Sequence, residues 1–335
     1  MGRYVIRRLL QFVPTVLGTM FLLHYLTSVG IQFSANPVRA LFGERAPSEQ
    51  LLQNVAERVG LGDPCLERKG DPCLGLFADR LEGIFLHFDF GVNLRMRPVT
   101  ELMADALPYT LRLVLIAIVF EGVVGIIAGV LAALRNGGFV DYLVKTSTVA
   151  VIAVPSFVLG FVIREFVGVR FGNVLRGSGL PDWVATGLFS PGFKPDYPWA
   201  TLVIPGMVLG AVSLAATARL TRTSLLENIR SDYVRTAKAK GLGQKRVIGV
   251  HALRNSLIPV VTFLGVDLGN LMGGAVITET IFNVPGLGRL VVGAARSGEA
   301  TVVIGVVTFL VLVYMLASLL VDLLYAVLDP RIRYE

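Results

Sequence analysis

Long runs without a charged residue constrain this chain more than any other feature. No Asp, Glu, Lys or Arg occurs in Leu9–Val38, Thr146–Ile163, Ala200–Ala218 or Ala300–Val321. Pro108–Leu134, which contains Glu121, and Leu257–Thr278, which contains Asp267, join them if a buried acid is accepted. A helix needs roughly 20 predominantly apolar residues to cross the hydrocarbon core. Each run therefore reads as a crossing, and together they predict an all-α integral membrane protein with six transmembrane helices. Composition agrees, since 16% of the 335 residues are charged against about 25% in soluble domains.

The first run is too long for the apolar part of a signal peptide, and no small-x-small cleavage site follows it, so it reads as a retained helix. Ile6 stands where a myristoylation signal needs Ser or Thr. With the N-terminus inside, Lys and Arg collect on the inside segments: Arg3, Arg7 and Arg8, then Arg135 and Lys145, then eight in residues 221–256, then Arg331 and Arg333. The short outside loops, residues 164–200 and the one holding Arg289 and Arg296, carry fewer. This bias predicts both termini in the cytoplasm. It also accounts for the net charge of +7 without a nucleic-acid partner.

The chain divides into an N-terminus with the first helix (1–29), an extracytoplasmic segment (30–105) and a five-helix core (106–335) that includes the loop 221–256. Ser48–Val59 predicts a short amphipathic helix capped by Ser48, with Leu51, Leu52, Val55 and Val59 on one face. A small repeat follows, Gly62-Asp63-Pro64-Cys65-Leu66 and Gly70-Asp71-Pro72-Cys73-Leu74, with the only two cysteines in equivalent places. On the oxidising side and in turn-forming Asp-Pro contexts, they read as a disulfide. A metal site and two free thiols are the rivals, and the absence of histidine from the repeat weighs against metal.

Gly125/Gly129 and Gly265/Gly269/Gly273 have the four-residue spacing that lets helices approach closely in lipid. Pro155 and Pro205 predict bends. Catalytic motifs are absent. There is no G-x-x-x-x-G-K-[ST] phosphate loop, and Gly241-Leu242-Gly243-Gln244-Lys245 has the wrong spacing. His24, His87 and His251 are too far apart in sequence to suggest a metal cluster or a nucleophile–base pair. The chain reads as a non-enzyme that binds no cofactor, so any ATP it depends on binds elsewhere.

Residues 221–256 are neither short nor shapeless. Ser231 or Asp232 can cap a helix running through Lys240, Gly241 suits its C′ position, and Gly243-Gln244 opens a second helical stretch through Arg254 toward Pro259. The small residues Ala237, Ala239 and Gly241 lie at the tip. Two readings stand on composition: insertion into a groove of another protein, or a basic helix lying on anionic lipid.

From this loop outward the chain resembles the membrane subunits of ABC importers. Within them it is similar to the peptide/nickel branch, the B-type permeases of dipeptide and oligopeptide importers. The most specific piece is Asp232-Tyr233-Val234-Arg235-Thr236-Ala237-Lys238-Ala239-Lys240-Gly241-Leu242, followed by His251-Ala252-Leu253-Arg254-Asn255 and Pro259. Around it stand Arg3-Tyr4 with Arg7-Arg8-Leu9-Leu10, Leu107-Pro108-Tyr109-Thr110-Leu111 opening the second span, Pro155-Ser156-Phe157 with Gly160, and Arg219-Leu220-Thr221-Arg222-Thr223-Ser224. Glu279-Thr280-Ile281-Phe282, Pro285-Gly286-Leu287-Gly288-Arg289-Leu290, Asp322-Leu323-Leu324-Tyr325 and Asp329-Pro330-Arg331 complete the series. The departures are Arg235-Thr236-Ala237 for the Glu-Ala-Ala of the general signature, a longer interval from Gly241 to Pro259, Asn93 where Ser is common, and the cysteine repeat, an insertion. The first two are usual for this branch.

The resemblance implies a type I ABC importer permease fold in a bacterial inner membrane. It implies a homologous second permease, two ABC ATPase subunits carrying ATP and Mg, an extracytoplasmic substrate-binding protein and a peptide substrate. Nickel or another small solute is the alternative cargo. Tyr233, Arg235, Ala237, Lys238, Ala239, Gly241 and Leu242 would meet the ATPase, with Arg254 and Asn255 bracing the loop. A different class, an ion-coupled carrier, is motivated by Glu121 and Asp267. Each lies near mid-span, where an acid is costly unless partnered, and Asn270 is a neighbour that could satisfy Asp267. Glu121, Asp267 and Asn270 are thus the candidate residues of the translocation path.

Overall fold

The computed structural model describes residues 2–33, 48–58 and 61–328. The expectations on Val38, Val59, Asp329-Pro330-Arg331 and Arg333 lie outside them, as do the side chains of Leu51, Leu52 and Asp322–Tyr325. In chain order the helices are α1 (Gly2–Phe33), α2 (Glu49–Arg58), α3 (Leu74–His87), α4 (Val99–Leu134), α5 (Phe139–Ala153), α6 (Ser156–Arg176), α7 (Ala200–Ile229), α8 (Asp232–Ala239), α9 (Gln244–Ile281), α10 (Leu287–Arg296) and α11 (Ala300–Leu328). Among the described residues the only β-type pairing is the bridge between Val92 and Pro98. The protein is all-helical. Helices α1, α4, α7, α9 and α11 are long and apolar enough to cross a bilayer, and α5 with α6 makes the sixth crossing if the pair is one span.

The third span is two helices bent by 101°, with the break at Val154–Pro155 where the sequence predicts a bend, while the starts of the second and fifth spans differ from expectation. Val154 adopts extended backbone (φ −91, ψ 125), because the ring of a following proline disfavours helical geometry in the residue before it. The second span begins at Val99, with Pro108 inside the helix rather than at its start. The fifth begins at Gln244 and runs through Pro259. Pro205 lies within α7, which continues without a break.

The chain forms two compact units, Met1–Thr110 with Pro285–Leu316, and Leu111–Val284 with Ala317–Glu335. In the first, Val16 and Met20 of α1 pack with Ile84, Phe90, Val99 and Val302. The sequence repeat becomes a structural repeat here. Asp63 Oδ1 accepts from Cys65 N and Asp71 Oδ1 accepts from Cys73 N, each at 2.9 Å. These two Asx turns present Cys65 and Cys73 to one another, and they form the disulfide, with Cα atoms 5.5 Å apart. Gln32 ties the same loop to α1, donating to Asp71 O at 2.8 Å and accepting from Gly70 N at 2.7 Å. Closing so short a loop is worth roughly 2–3 kcal/mol on the loop-entropy estimate. Intact protein is expected to gain two alkylation sites only after reduction, read by mass; equal labelling before and after would contradict the bond.

In the second unit α4 and α7 meet along a seam of glycines. A Cβ on Gly206 or Gly210 of α7 would fall 2.6 Å from Ile116 Cγ2 or Ala117 O of α4. On Gly125 or Gly129 of α4 it would fall 2.8 Å from Thr217 Cγ2 or 2.5 Å from Ala218 O. The contacts advance in the same sense along both helices, so the two run parallel. Gly265 packs against Val321 of α11, whereas Gly273 has nothing within 4 Å and takes no part in packing. Gly125 and Gly129 thus supply the α4 half of the seam, and Gly206 and Gly210, at the same spacing, supply the α7 half.

Candidate functional site: a basic loop and two buried acids

Helix α8 lies across the junction of α7 and α9. Its periodicity turns Val234 and Ala237 into a cluster with Leu225, Val247, Ala252 and Ala133, and leaves Tyr233, Arg235, Lys238 and Ala239 exposed. Ala237 is thus a core residue, not part of an outward tip, because it shares the buried face with Val234 three residues earlier. Ser231 stands at the N-cap but does not cap with its side chain; its hydroxyl donates to Asn228 O at 2.6 Å. Tyr233 OH bonds Asn228 Oδ1, and Arg235 reaches Asp232 at 3.3 Å.

The helix ends as its glycine foretells. Gly241 takes φ +78 and is exposed. Leu242 N donates to Ala237 O at 3.3 Å and Gly241 N to Lys238 O at 2.9 Å, the paired bonds of a Schellman turn. Leu242 folds back onto the cluster. The second half of the loop does not stand apart, since Gln244 onward is already α9, with Val247–Ala252 in π-helical form. Arg254 and Asn255 are exposed, and their side chains make no hydrogen bond or ion pair among the described residues. The loop is fastened instead by buried Ser256, whose hydroxyl donates to Ala252 O at 2.8 Å and to Ser224 O at 3.3 Å.

A second fastening escapes sequence reasoning. Asp141, fully buried at the start of α5, accepts from Arg222 Nε on Oδ1 at 2.6 Å. Its Oδ2 accepts from Arg222 Nη2, Lys145 Nζ and Gly137 N, each at 2.9 Å. Arg222 Nη2 also donates to Asn136 Oδ1 at 2.7 Å. Such two-pronged arginine–carboxylate pairs are among the strong, directional bonds. This one joins the α4–α5 turn to the end of α7 that leads into α8. The signal lies in Arg219–Ser224, where Arg222 by itself reads only as an orientation charge.

The acids of the spans face helices, not lipid. Glu121 on α4 is fully buried, and Thr217 Oγ1 of α7 donates to its Oε1 at 2.6 Å. Asp267 on α9 is 5% exposed, and Asn270 Nδ2 donates to its Oδ1 at 3.3 Å. The second oxygens of the two acids, Glu121 Oε2 and Asp267 Oδ2, are buried without a hydrogen bond among the described residues. Burying an acid costs several kcal/mol unless it is bonded, and the Thr217 and Asn270 bonds offset that cost for one oxygen of each acid. Glu121→Leu, which strips Thr217 of its acceptor, and Asp267→Leu are each expected to impair assembly or transport, while Glu121→Gln keeps the Thr217 bond and spares assembly. Wild-type abundance and uptake in both leucine variants would show that the acids carry nothing.

Several helices long and apolar enough to cross a bilayer, with polar side chains buried on them, describe a multi-pass membrane protein. Residues 125–334 match the family described as binding-protein-dependent transport system inner membrane component, and the chain belongs to that family. It is similar over 99% of both chains, at 34% identity, to the dipeptide transport system permease protein DppB of Alkalihalophilus pseudofirmus. It is similar over the full length of both chains to DppB of Escherichia coli K12 at 34% identity. The same full coverage holds, at 32%, for the glutathione transport system permease protein GsiC of that organism.

Proposed function

We propose that this chain is the membrane-spanning subunit of an ATP-driven importer of short peptides, forming half of the translocation pathway and working by alternating access. Family membership makes it one component of a binding-protein-dependent system. Relatives similar over their whole length are named for dipeptide, di/tripeptide, peptide and glutathione transport. That shared cargo class supports peptides over nickel and leaves an ion-coupled carrier without support. The partners are a homologous second permease, two ATPase subunits that hold ATP and Mg, and an extracytoplasmic binding protein. The chain sits in a bacterial inner membrane with both termini in the cytoplasm, where residues 221–256 meet the ATPases.

The observation that carries the coupling role is the two-faced character of α8. One face is packed on the bundle through Val234 and Ala237, while Tyr233, Arg235, Lys238, Ala239 and Gly241 are presented outward. A force applied to that outer face passes into α7 and α9 through a buried contact, which a helix adrift on lipid would lack. The test is uptake of radiolabelled dialanine into vesicles holding the reconstituted complex and its binding protein. Accumulation is expected with ATP, and neither with ADP nor with a pH gradient alone. Uptake driven by the gradient without ATP would reject the reading, and uptake of nickel in place of dialanine would reject the cargo.

A further inference from the structure

The segment that precedes α4 packs with the start of α11 around a cavity of about 320 Å³, lined by Glu57, Asp79, Arg80, Asp89, Thr301 and Gly305 among others. Arg80 is unusual in this setting. Its guanidinium is withdrawn from water far enough that burial pushes it down to about 10, yet no carboxylate among the described residues forms an ion pair with it. Its bonded partner is a histidine: Nη1 lies 3.0 Å from His24 Nδ1. A guanidinium only donates, so Nδ1 is the acceptor, and the proton of His24 sits on Nε2, 3.1 Å from Cys73 O. Arg80 is therefore oriented by a neutral ring and keeps an unmatched positive charge.

The other charges on the wall are acids. Asp89 Oδ1 accepts from Gly91 N at 2.8 Å, leaving its second oxygen uncommitted. Asp79 and Glu57 are exposed and make no ion pair among the described residues. A cavity with one half-buried guanidinium and several carboxylates suits a ligand carrying both signs. Its volume lies at the small end of ligand pockets, which run from about 300 to 1,000 Å³. We propose that this cavity is a subsite for a short free peptide, with Arg80 taking the terminal carboxylate and Asp79, Asp89 and Glu57 taking the ammonium. The choice of a peptide rests on the function proposed above. His24 and the disulfide act as positioning groups, because the Cys73 carbonyl that fixes the ring belongs to the bridged loop.

The experiment is saturation-transfer NMR with dialanine on the full chain in phospholipid nanodiscs, compared with N-acetyl-dialanine and dialanine amide. Saturable binding of dialanine is expected, weakened at least about tenfold by either blocking group and by Arg80→Gln, as loss of one charge-assisted bond implies. Arg80→Lys keeps the charge but loses the planar fork, and serves if Arg80→Gln does not accumulate; it should bind several-fold more weakly. Reduction of the disulfide should weaken dialanine binding without removing it. No saturable binding by the wild type, or equal binding by the Arg80 variants, overturns the proposal. So does a docking role, in which Arg80→Gln abolishes stimulation by the binding protein while the wild type binds no dialanine. ATP-driven uptake without this binding would overturn the subsite alone, and binding without uptake would overturn the transport reading alone.

Discussion

Gly241→Glu is expected to leave the chain in the membrane at wild-type abundance while abolishing ATP-driven uptake and weakening association with the ATPase subunits. Gly241 is exposed, and an added Cβ there meets nothing within 4 Å of its own chain, so the fold has room for the side chain. Two costs remain. The backbone at φ +78 is left-handed, a conformation worth about 1–2 kcal/mol against an ordinary L-residue. A carboxylate placed beside Lys238 and Ala239 must also be accommodated by whatever protein surface covers them, where overpacking costs about 1–3 kcal/mol. Either cost is of the size that shifts docking about tenfold, since that takes about 1.4 kcal/mol. Gly241→Asn separates them, because Asn tolerates the left-handed cap and adds no charge. It should retain most uptake. Under a lipid-surface role the Glu variant would lose only about 1 kcal/mol of headgroup attraction. Unchanged co-purification of the ATPases and unchanged uptake in Gly241→Glu would reject the coupling role.

Asp141→Ala is expected to be severely destabilising. Asp141 is fully buried and Arg222 is 15% exposed, so removal leaves a guanidinium with little water to replace its carboxylate. Breaking a buried pair in this way costs about 3–5 kcal/mol, a large share of the roughly 5–15 kcal/mol that holds a domain together. Lys145 is more exposed and contributes little. The readouts are abundance in the membrane and the thermal midpoint of the detergent-solubilised protein; both should fall sharply. The double variant Asp141→Leu with Arg222→Leu removes both charges and should recover part of the loss. A single variant as stable as the wild type would show that the pair is idle.

The spans are legible in the sequence because length and lack of charge are local properties, readable without knowing what a helix packs against. Helix α8 is legible for the same reason: Asp232 at its start and Gly241 at its end are neighbours of the structure they determine. What escapes is set by distance or by context. Asp141 and Arg222 are 81 residues apart, and Arg80 and His24 are 56 apart, so no spacing rule pairs them. The start of α4 escapes because Glu101 and Asp105 look like loop residues until Arg97 is seen ion-paired to both. Ala237 misleads because small residues signal close approach without saying which surface approaches.

The seam between α4 and α7 also bears on how the protein is made. Glu121 and the hydroxyl that bonds it are 96 residues apart. At about 5–20 residues per second, synthesis leaves that carboxyl without Thr217 for about 5–20 s. During that interval the nascent chain holds an acid in mid-membrane, a placement worth about 2.5–3.5 kcal/mol against insertion for Asp at a helix centre. The strongly apolar remainder of α4 must keep it there alone. Arrival of α7 then does more than add a helix: its glycines let the two backbones close and deliver Thr217 to the waiting oxygen in the same step. Mutations along the seam therefore act on the yield of newly inserted protein, and a chain stalled between the third and fourth crossings is the species on which membrane quality control would act.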